Sequence, residues 1–350
     1  MIEYRPWSQV ELYKSYKKYQ EGEFSILDIE LSGSCNFNCM YCDSPDHTKK
    51  CTINIQNIEK LLSSSLFEWV FICGLGEPVV RGNYDFLIDI LKLCKKYNVK
   101  CSIFSNGSVC NEELIEFITE GILYVLLKYD SSDYKLNANV YGTSCSEAKQ
   151  QYHNIKTFMK YVHCENEMTN IGVSIVPTRL NVDKIPKIVE ECCENYVYPL
   201  IAELENSGRG QDHFSALSLS SSELRELKKK VEGIIGEKYR IPICPAVISG
   251  IHISNNSDIV VDEISGLTCP WFWLEEPQLY KVLKLNSETS LDEIKFNIME
   301  FRNKKLGNIK ELQLTYMTIE PERFGGCGGD IRLLLETYVE IQQKLKAVNL

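Results

Sequence analysis

The sequence predicts an α/β fold built on a parallel sheet, and two observations carry that prediction. Short apolar runs alternate with longer segments of helical periodicity through the first two hundred residues. Such β/α alternation favours parallel strands joined by right-handed crossovers. The chain is also 350 residues long with 44% hydrophobic residues, enough for one large barrel-like domain and a smaller one.

The elements follow in order. Residues 8–21, rich in Tyr, Lys and Glu, read as a short amphipathic helix. Phe24 to Leu31 reads as the first strand of the alternation, and Ile55 to Leu66 as a helix. Trp69 to Cys73 is a short apolar run, the pattern of a strand buried on both faces. Further strands are expected over Val99–Phe104, Ile122–Leu127, Ile171–Val176 and Tyr198–Leu204. Helices are expected over Asp85–Tyr97, Glu112–Thr119, Glu147–Val162 and Val182–Cys193. The polar, glycine-rich stretch 206–212 reads as a boundary, and 220–235 as a connecting helix with serines at its N-cap. Beyond it, Gly250–Ser254 and Asp258–Val261 flank Asn255-Asn256-Ser257 as a β-hairpin, and Asp330 to Ala347 closes the chain as an amphipathic helix.

Composition narrows the function classes. The formal net charge is -10, and no Lys/Arg-rich run stands out beyond Lys228-Lys229-Lys230, so a nucleic-acid partner is disfavoured. No run approaches the ~20 apolar residues of a membrane helix. The N-terminus lacks the basic-then-apolar pattern of a signal peptide, so no membrane association and a cytoplasmic location are expected. Fifteen cysteines in such a setting are not a disulfide framework. Metal binding accounts for some of them, and the rest are small buried hydrophobes.

Cys35, Cys39 and Cys42 lie on one short loop after the first strand, spaced C-x3-C-x2-C. Thiolates are the ligands of iron–sulfur clusters. Three thiolates hold three corners of a four-iron cluster and leave one iron open. Zinc also takes thiolates, so a zinc site is the competing reading of the cysteines alone. The loop's position agrees with the rule that parallel β/α barrels carry their sites at the C-terminal ends of strands.

The cysteine spacing, with the aromatic Tyr41 before the third cysteine, resembles the radical SAM superfamily signature. The resemblance covers about residues 22–206 and implies a partial (β/α)6 TIM-type barrel. It further implies a 4Fe-4S cluster on Cys35, Cys39 and Cys42 whose open iron binds S-adenosylmethionine. One electron from the reduced cluster then cleaves the cofactor, and the resulting 5'-deoxyadenosyl radical abstracts hydrogen from substrate. A reducing donor such as flavodoxin or ferredoxin is implied.

Further segments match the family by position. Gly74-Leu75-Gly76-Glu77-Pro78 is similar to its glycine-rich segment after the second strand, implying cofactor contacts at Gly74, Gly76 and Glu77. Alone, it would read as a strand-to-helix turn. Ser105-Asn106-Gly107 resembles the Thr-Asn-Gly segment after the third strand, and is otherwise an ordinary turn. Lys128 stands where the family often has Ser and is expected to reach the cofactor or a substrate, against the alternative of a solvated lysine. Ser174 and Arg179, on or after the fifth strand, are further cofactor-binding candidates, whereas Tyr141-Gly142 replaces a common Arg-Gly.

Cys244, Cys269 and Cys327 in the C-terminal region resemble the SPASM/Twitch extensions, which hold auxiliary clusters, and the one-cluster Twitch type matches better. The fourth ligand is left open, with Cys51, Cys73 and His252 as candidates. The expected organisation is an N-terminal helical extension (1–21), a barrel core (22–206), a linker and connecting helix (207–238), and a small α+β cluster-binding region (239–350). The expected activity is radical SAM modification of a peptide or a small metabolite. Only 34 residues precede Cys35, too few for a leader-binding domain, so a separate partner is expected to supply one. The alternative is a non-catalytic iron–sulfur or zinc protein serving electron transfer or regulation.

Overall fold

A computed structural model describes residues 2–42, 47–48, 50, 53–72, 75–239, 244–256, 261–265, 281–286 and 288–305. Gly74, Cys269, Cys327 and the helix expected over Asp330–Ala347 lie outside them.

Six strands form the parallel sheet the alternation predicts: β1 (Ile26–Ile29), β2 (Trp69–Ile72), β3 (Lys100–Ser105), β4 (Leu123–Lys128), β5 (Ile171–Ile175) and β6 (Tyr198–Ile201), neighbours in that order. Strands β1, β2 and β6 are buried at every residue, as both-face coverage requires. Register fixes which residues share a face. Asp28 lies opposite Phe71, Phe71 opposite Ser102, and Ser102 opposite Tyr124, while Lys128 lies opposite Ser174. Side chains alternate along each strand, so Asp28, Ser102 and Lys128 share one face.

Helices cover the other face, among them α2 (Ile55–Leu62), α4 (Glu112–Thr119) and α7 (Ile185–Glu194). On that side Cys101 meets Cys94 of α3 (Tyr84–Tyr97). The N-terminal segment and helix α1 (Gln9–Gln20) lie on the Asp28–Ser102 face. There the Tyr4 hydroxyl shares a 3.0 Å hydrogen bond with Ser102 Oγ, and Trp69 Nε1 donates to Glu11 Oε2 at 3.0 Å.

Local sequence explains where the helices stop and start. α3 ends on Asn98 in the left-handed region (φ 56°). α6 (Cys145–Phe158) and α9 (Ser221–Ile235) each begin with a capping box, Ser144 with Glu147 and Ser220 with Glu223. Among the described residues four helices escape the periodicity argument: α5 (Tyr134–Val140), α8 (Gly208–Leu217), which occupies part of the stretch expected to be a boundary, the short helix Ala246–Ser249 and the helix Leu291–Lys305.

A C-terminal hairpin forms, but later than expected: β7 (Gly250–Asn256) runs through Asn255 and Asn256, β8 (Val261–Ser265) begins where the second strand was expected to end, and the pair is no isolated unit. β7 pairs parallel to β1, with His252 opposite Asp28. With β9 (Lys281–Leu285) these strands extend the sheet to nine, in the order β9-β8-β7-β1-β2-β3-β4-β5-β6. Among the described residues β9 and β6 stand at the two ends of this order, with β1 in its interior.

Candidate functional site

The cysteine loop leaves β1 and is tied to four other segments. Asn38 N donates to Tyr141 O at 2.8 Å and Met40 N to Val140 O at 2.9 Å, so the loop is tied to the end of α5. Phe37 stacks on the Tyr141 ring at 5.6 Å. Glu77 N donates to Ser34 O at 2.8 Å, and Asn106 Nδ2 donates to Asn36 Oδ1 at 2.8 Å. Arg209 N, at the start of α8, donates to Cys42 O at 2.8 Å.

Two glycines permit this approach. Gly142 has φ +56°, and a Cβ there would stand 2.5 Å from Asn38 O. Gly76 has φ +63°, and a Cβ would stand 2.6 Å from Ser34 O. Only glycine adopts these angles cheaply and also leaves that space.

The three thiols are free and half-buried. Burial pushes the Cys39 thiol to about 12 and raises Cys35; Cys42 adds to both shifts by charge repulsion. Cys35 and Cys39 therefore stay protonated until positive charge arrives, and iron supplies that charge. A 4Fe-4S cluster therefore fits the donor set. Among the described residues no three His, Cys, Asp or Glu side chains converge as ligands of one metal ion. Cluster cysteines each bind a different iron and need not converge.

Tyr41 is buried and its hydroxyl donates to Asp130 Oδ2. Asp130 Oδ1 accepts from Val176 N at 2.8 Å, and Asp130 N donates to the Tyr141 hydroxyl at 3.1 Å. Burial raises both tyrosines well above the ordinary phenol range, so both stay protonated. Lys128 Nζ, at the C-terminal end of β4, sits 4.2 Å from the Tyr41 ring centre and 5.3 Å from that of Tyr141.

Glu77, Ser105 and Asn106 form a second knot. Glu77 is buried; its Oε1 accepts from Ser105 Oγ at 2.7 Å and Val79 N at 3.2 Å, and its Oε2 from Asn106 N at 2.5 Å. Burial lifts its carboxyl to about 7 against those hydrogen bonds. These contacts join the loops after β2 and β3, and Asn83 binds the knot to the cysteine loop by donating to both Glu77 O and Ser32 O.

Of the expected cofactor contacts, Tyr41, Gly76, Glu77, Ser105, Asn106 and Lys128 thus gather around the cysteine loop. Ser174 is half-buried opposite Lys128. Arg179 is exposed, and its charge bears on Glu223 of α9. Cys244 is half-buried and packs against the main core.

Sequence reasoning missed the roles of Asp130 and Asn83, and it offered His252 as an auxiliary-cluster ligand where the structure sets both its ring nitrogens against carboxylates in a buried cluster on the extended sheet. His252 Nδ1 lies 2.8 Å from Asp28 Oδ2 and Nε2 lies 3.4 Å from Glu30 Oε2. Burial opposes its charge, yet the two carboxylates prevail and lift the imidazole to about 9. The signal was present in Asp28 and Glu30, alternating acids within an otherwise apolar strand.

No protein-family model matches the chain. Among curated proteins it is 25% identical over 201 residues to "Probable GTP 3',8-cyclase" of Thermoplasma volcanium, covering 53% of this chain and 55% of the relative. It is 25% identical over 215 residues to "Mycofactocin maturase MftC" of Mycolicibacterium smegmatis, covering 57% and 50%. The chain therefore spans about half the length of these relatives. Among solved structures, SuiB of Streptococcus suis bound to S-adenosylmethionine has TM-score 0.59 at 17% identity, covering 91% of this chain and 80% of that one. SuiB bound to its precursor peptide SuiA gives 0.53 at 16%, covering 89% and 78%. Likenesses at this identity concern the fold, and they match the β/α sheet that carries the cysteine loop.

Proposed function

We propose that this chain, a radical SAM superfamily member by its fold and cysteine loop, reductively cleaves S-adenosylmethionine and abstracts hydrogen from a peptide. The observation that carries the reading is the loop itself. Three half-buried thiols lie on one segment at the C-terminal end of β1, with Tyr41, Lys128 and the Glu77 knot around them. A 4Fe-4S cluster on Cys35, Cys39 and Cys42 would supply the electron that cleaves the cofactor.

The protein's own residues supply position and shielding. Gly76 and Gly142 let neighbouring backbone close on the loop. Asp130 holds Tyr41 in place. Backbone polar groups after β2, beside Gly76, are suited to the methionine moiety of the cofactor, and Asn106, bonded to Asn36 of the loop, and Ser174, opposite Lys128, are further candidate contacts. SuiB with its bound precursor peptide and the maturase MftC support a peptide substrate; the cyclase relative favours a small metabolite as the second reading.

The same proposal includes an auxiliary cluster on Cys244, Cys269 and Cys327 in a region spanning 239–350, and a flavodoxin or ferredoxin as electron donor. Among the described residues no helix is long and apolar enough to cross a membrane. The test is anaerobic reconstitution with iron and sulfide, then S-adenosylmethionine and dithionite, with 5'-deoxyadenosine measured by mass spectrometry. Product that disappears in a Cys35→Ala/Cys39→Ala/Cys42→Ala variant is expected. A fully loaded protein that makes no 5'-deoxyadenosine, with or without candidate peptides, would return the chain to the non-catalytic metal-binding reading.

A further inference from the structure

Lys128 occupies an unusual seat. It is the last residue of β4, and its ammonium faces two aromatic rings, 4.2 Å from the Tyr41 centroid and 5.3 Å from that of Tyr141. Cations are attracted to ring faces, and more strongly where water is excluded. Neither ring is free to turn. The Tyr41 hydroxyl is bound to Asp130, the Tyr141 hydroxyl accepts from Asp130 N at 3.1 Å, and Phe37 stacks behind Tyr141 at an interplanar angle of 13°. The arrangement fixes a positive charge beside Tyr41, the residue just before Cys42.

We propose that Lys128 is an electrostatic positioning residue. Held by Tyr41 and Tyr141, its ammonium makes one-electron reduction of a cluster on Cys35, Cys39 and Cys42 more favourable. The inference rests on the reading above that these cysteines hold a cluster. Reduction adds one negative charge to the centre, and a fixed cation nearby stabilises the more negative state, most in a shielded site. Net charge around a cluster is one of the levers that set its potential. The field of Lys128 also reaches the buried Glu77 carboxyl and favours its anion. Asp130, on the Tyr41 hydroxyl, carries the opposite charge. Its carboxylate is also committed to Tyr41 and Val176 N.

The test is a redox titration of the reconstituted full-length chain without S-adenosylmethionine, followed by electron paramagnetic resonance, comparing wild type with Lys128→Met, Lys128→Gln and Lys128→Arg. Iron per chain and circular dichroism establish loading and folding for each. Removing the charge is expected to cut the reduced-to-oxidised ratio at fixed potential roughly tenfold, a midpoint lowered by about 59 mV for one electron. Lys128→Arg is expected to stay near wild type. A loaded Lys128→Met or Lys128→Gln cluster with the wild-type midpoint overturns this inference alone. Altered S-adenosylmethionine binding with an unmoved midpoint would also overturn it, making Lys128 a cofactor contact instead. Absence of cysteine-dependent iron in the wild type removes both the proposed function and this inference.

Discussion

The Tyr41 hydroxyl donates a hydrogen bond to the Asp130 carboxylate, joining the cysteine loop to the end of β4 across 89 residues of sequence. The bond is buried, and Asp130 uses its other oxygen on Val176 N at 2.8 Å. One carboxylate therefore fixes the cysteine loop to both β4 and the segment after β5.

Tyr41→Phe would leave a buried carboxylate oxygen without this donor. The expected cost is about 1–3 kcal/mol, the range for an unsatisfied buried partner. Tyr84→Phe, whose hydroxyl bonds to Glu113 at an exposed site, is expected to cost well under half of that. Chemical denaturation of both variants measures the difference. Equal costs would mean that the buried bond adds nothing special.

Glu77→Ala removes the acceptor of three donors at once, Ser105 Oγ, Val79 N and Asn106 N. The expected loss is roughly 3 kcal/mol or more, since two buried backbone groups lose their partner. Glu77→Gln keeps one carbonyl oxygen and is expected to recover at least half of the loss. If both variants denature at the wild-type midpoint, the knot is not a stabilising element.

These two networks show how far sequence carried the argument. The six parallel strands were legible because each is a short run that must be buried, such as Trp69–Ile72. The cysteine loop was legible because its chemistry is local. Helix α5 was missed because Tyr134–Val140 carries Lys and two Asn and has no apolar stripe. Helix α8 was hidden by Gly208 and Gly210, which read as a break. The hairpin was legible, but not its seat on β1, because the pairing of His252 with Asp28 spans 224 residues and leaves no periodic trace.

That pairing gives a pH dependence with a definite sign. The His252 imidazole titrates near 9 in the folded chain, above the ordinary value of 6.5. The folded state thus holds the proton more tightly than the unfolded state. Its contribution is fully present below pH 6.5 and is lost as pH rises through 9, at no more than about 1.4 kcal/mol per pH unit. The stability difference between wild type and His252→Gln should therefore shrink between pH 6.5 and 9.5. A difference that grows or stays flat over that window would refute the assignment.

Glycine substitutions provide the last prediction, because three positions separate two costs. Gly233 lies inside helix α9, with nothing within 4 Å of an added Cβ and no left-handed φ. Gly233→Ala should stabilise the chain by about 0.5–1 kcal/mol through helix propensity and unfolded-state entropy. Gly121 has φ +72° but open space, so Gly121→Ala meets only the conformational penalty, about 1 kcal/mol. Gly142 has φ +56° and Asn38 O at 2.5 Å from the added Cβ, so Gly142→Ala carries both penalties. The excess falls on the backbone between Cys35 and Cys39. Gly142→Ala should therefore lower iron loading of the reconstituted chain at temperatures where it remains folded, while Gly121→Ala loads normally despite its own loss of stability. Thermal denaturation with iron quantification on the same samples separates the two effects. Normal loading in Gly142→Ala would mean that the loop holds its shape without this contact.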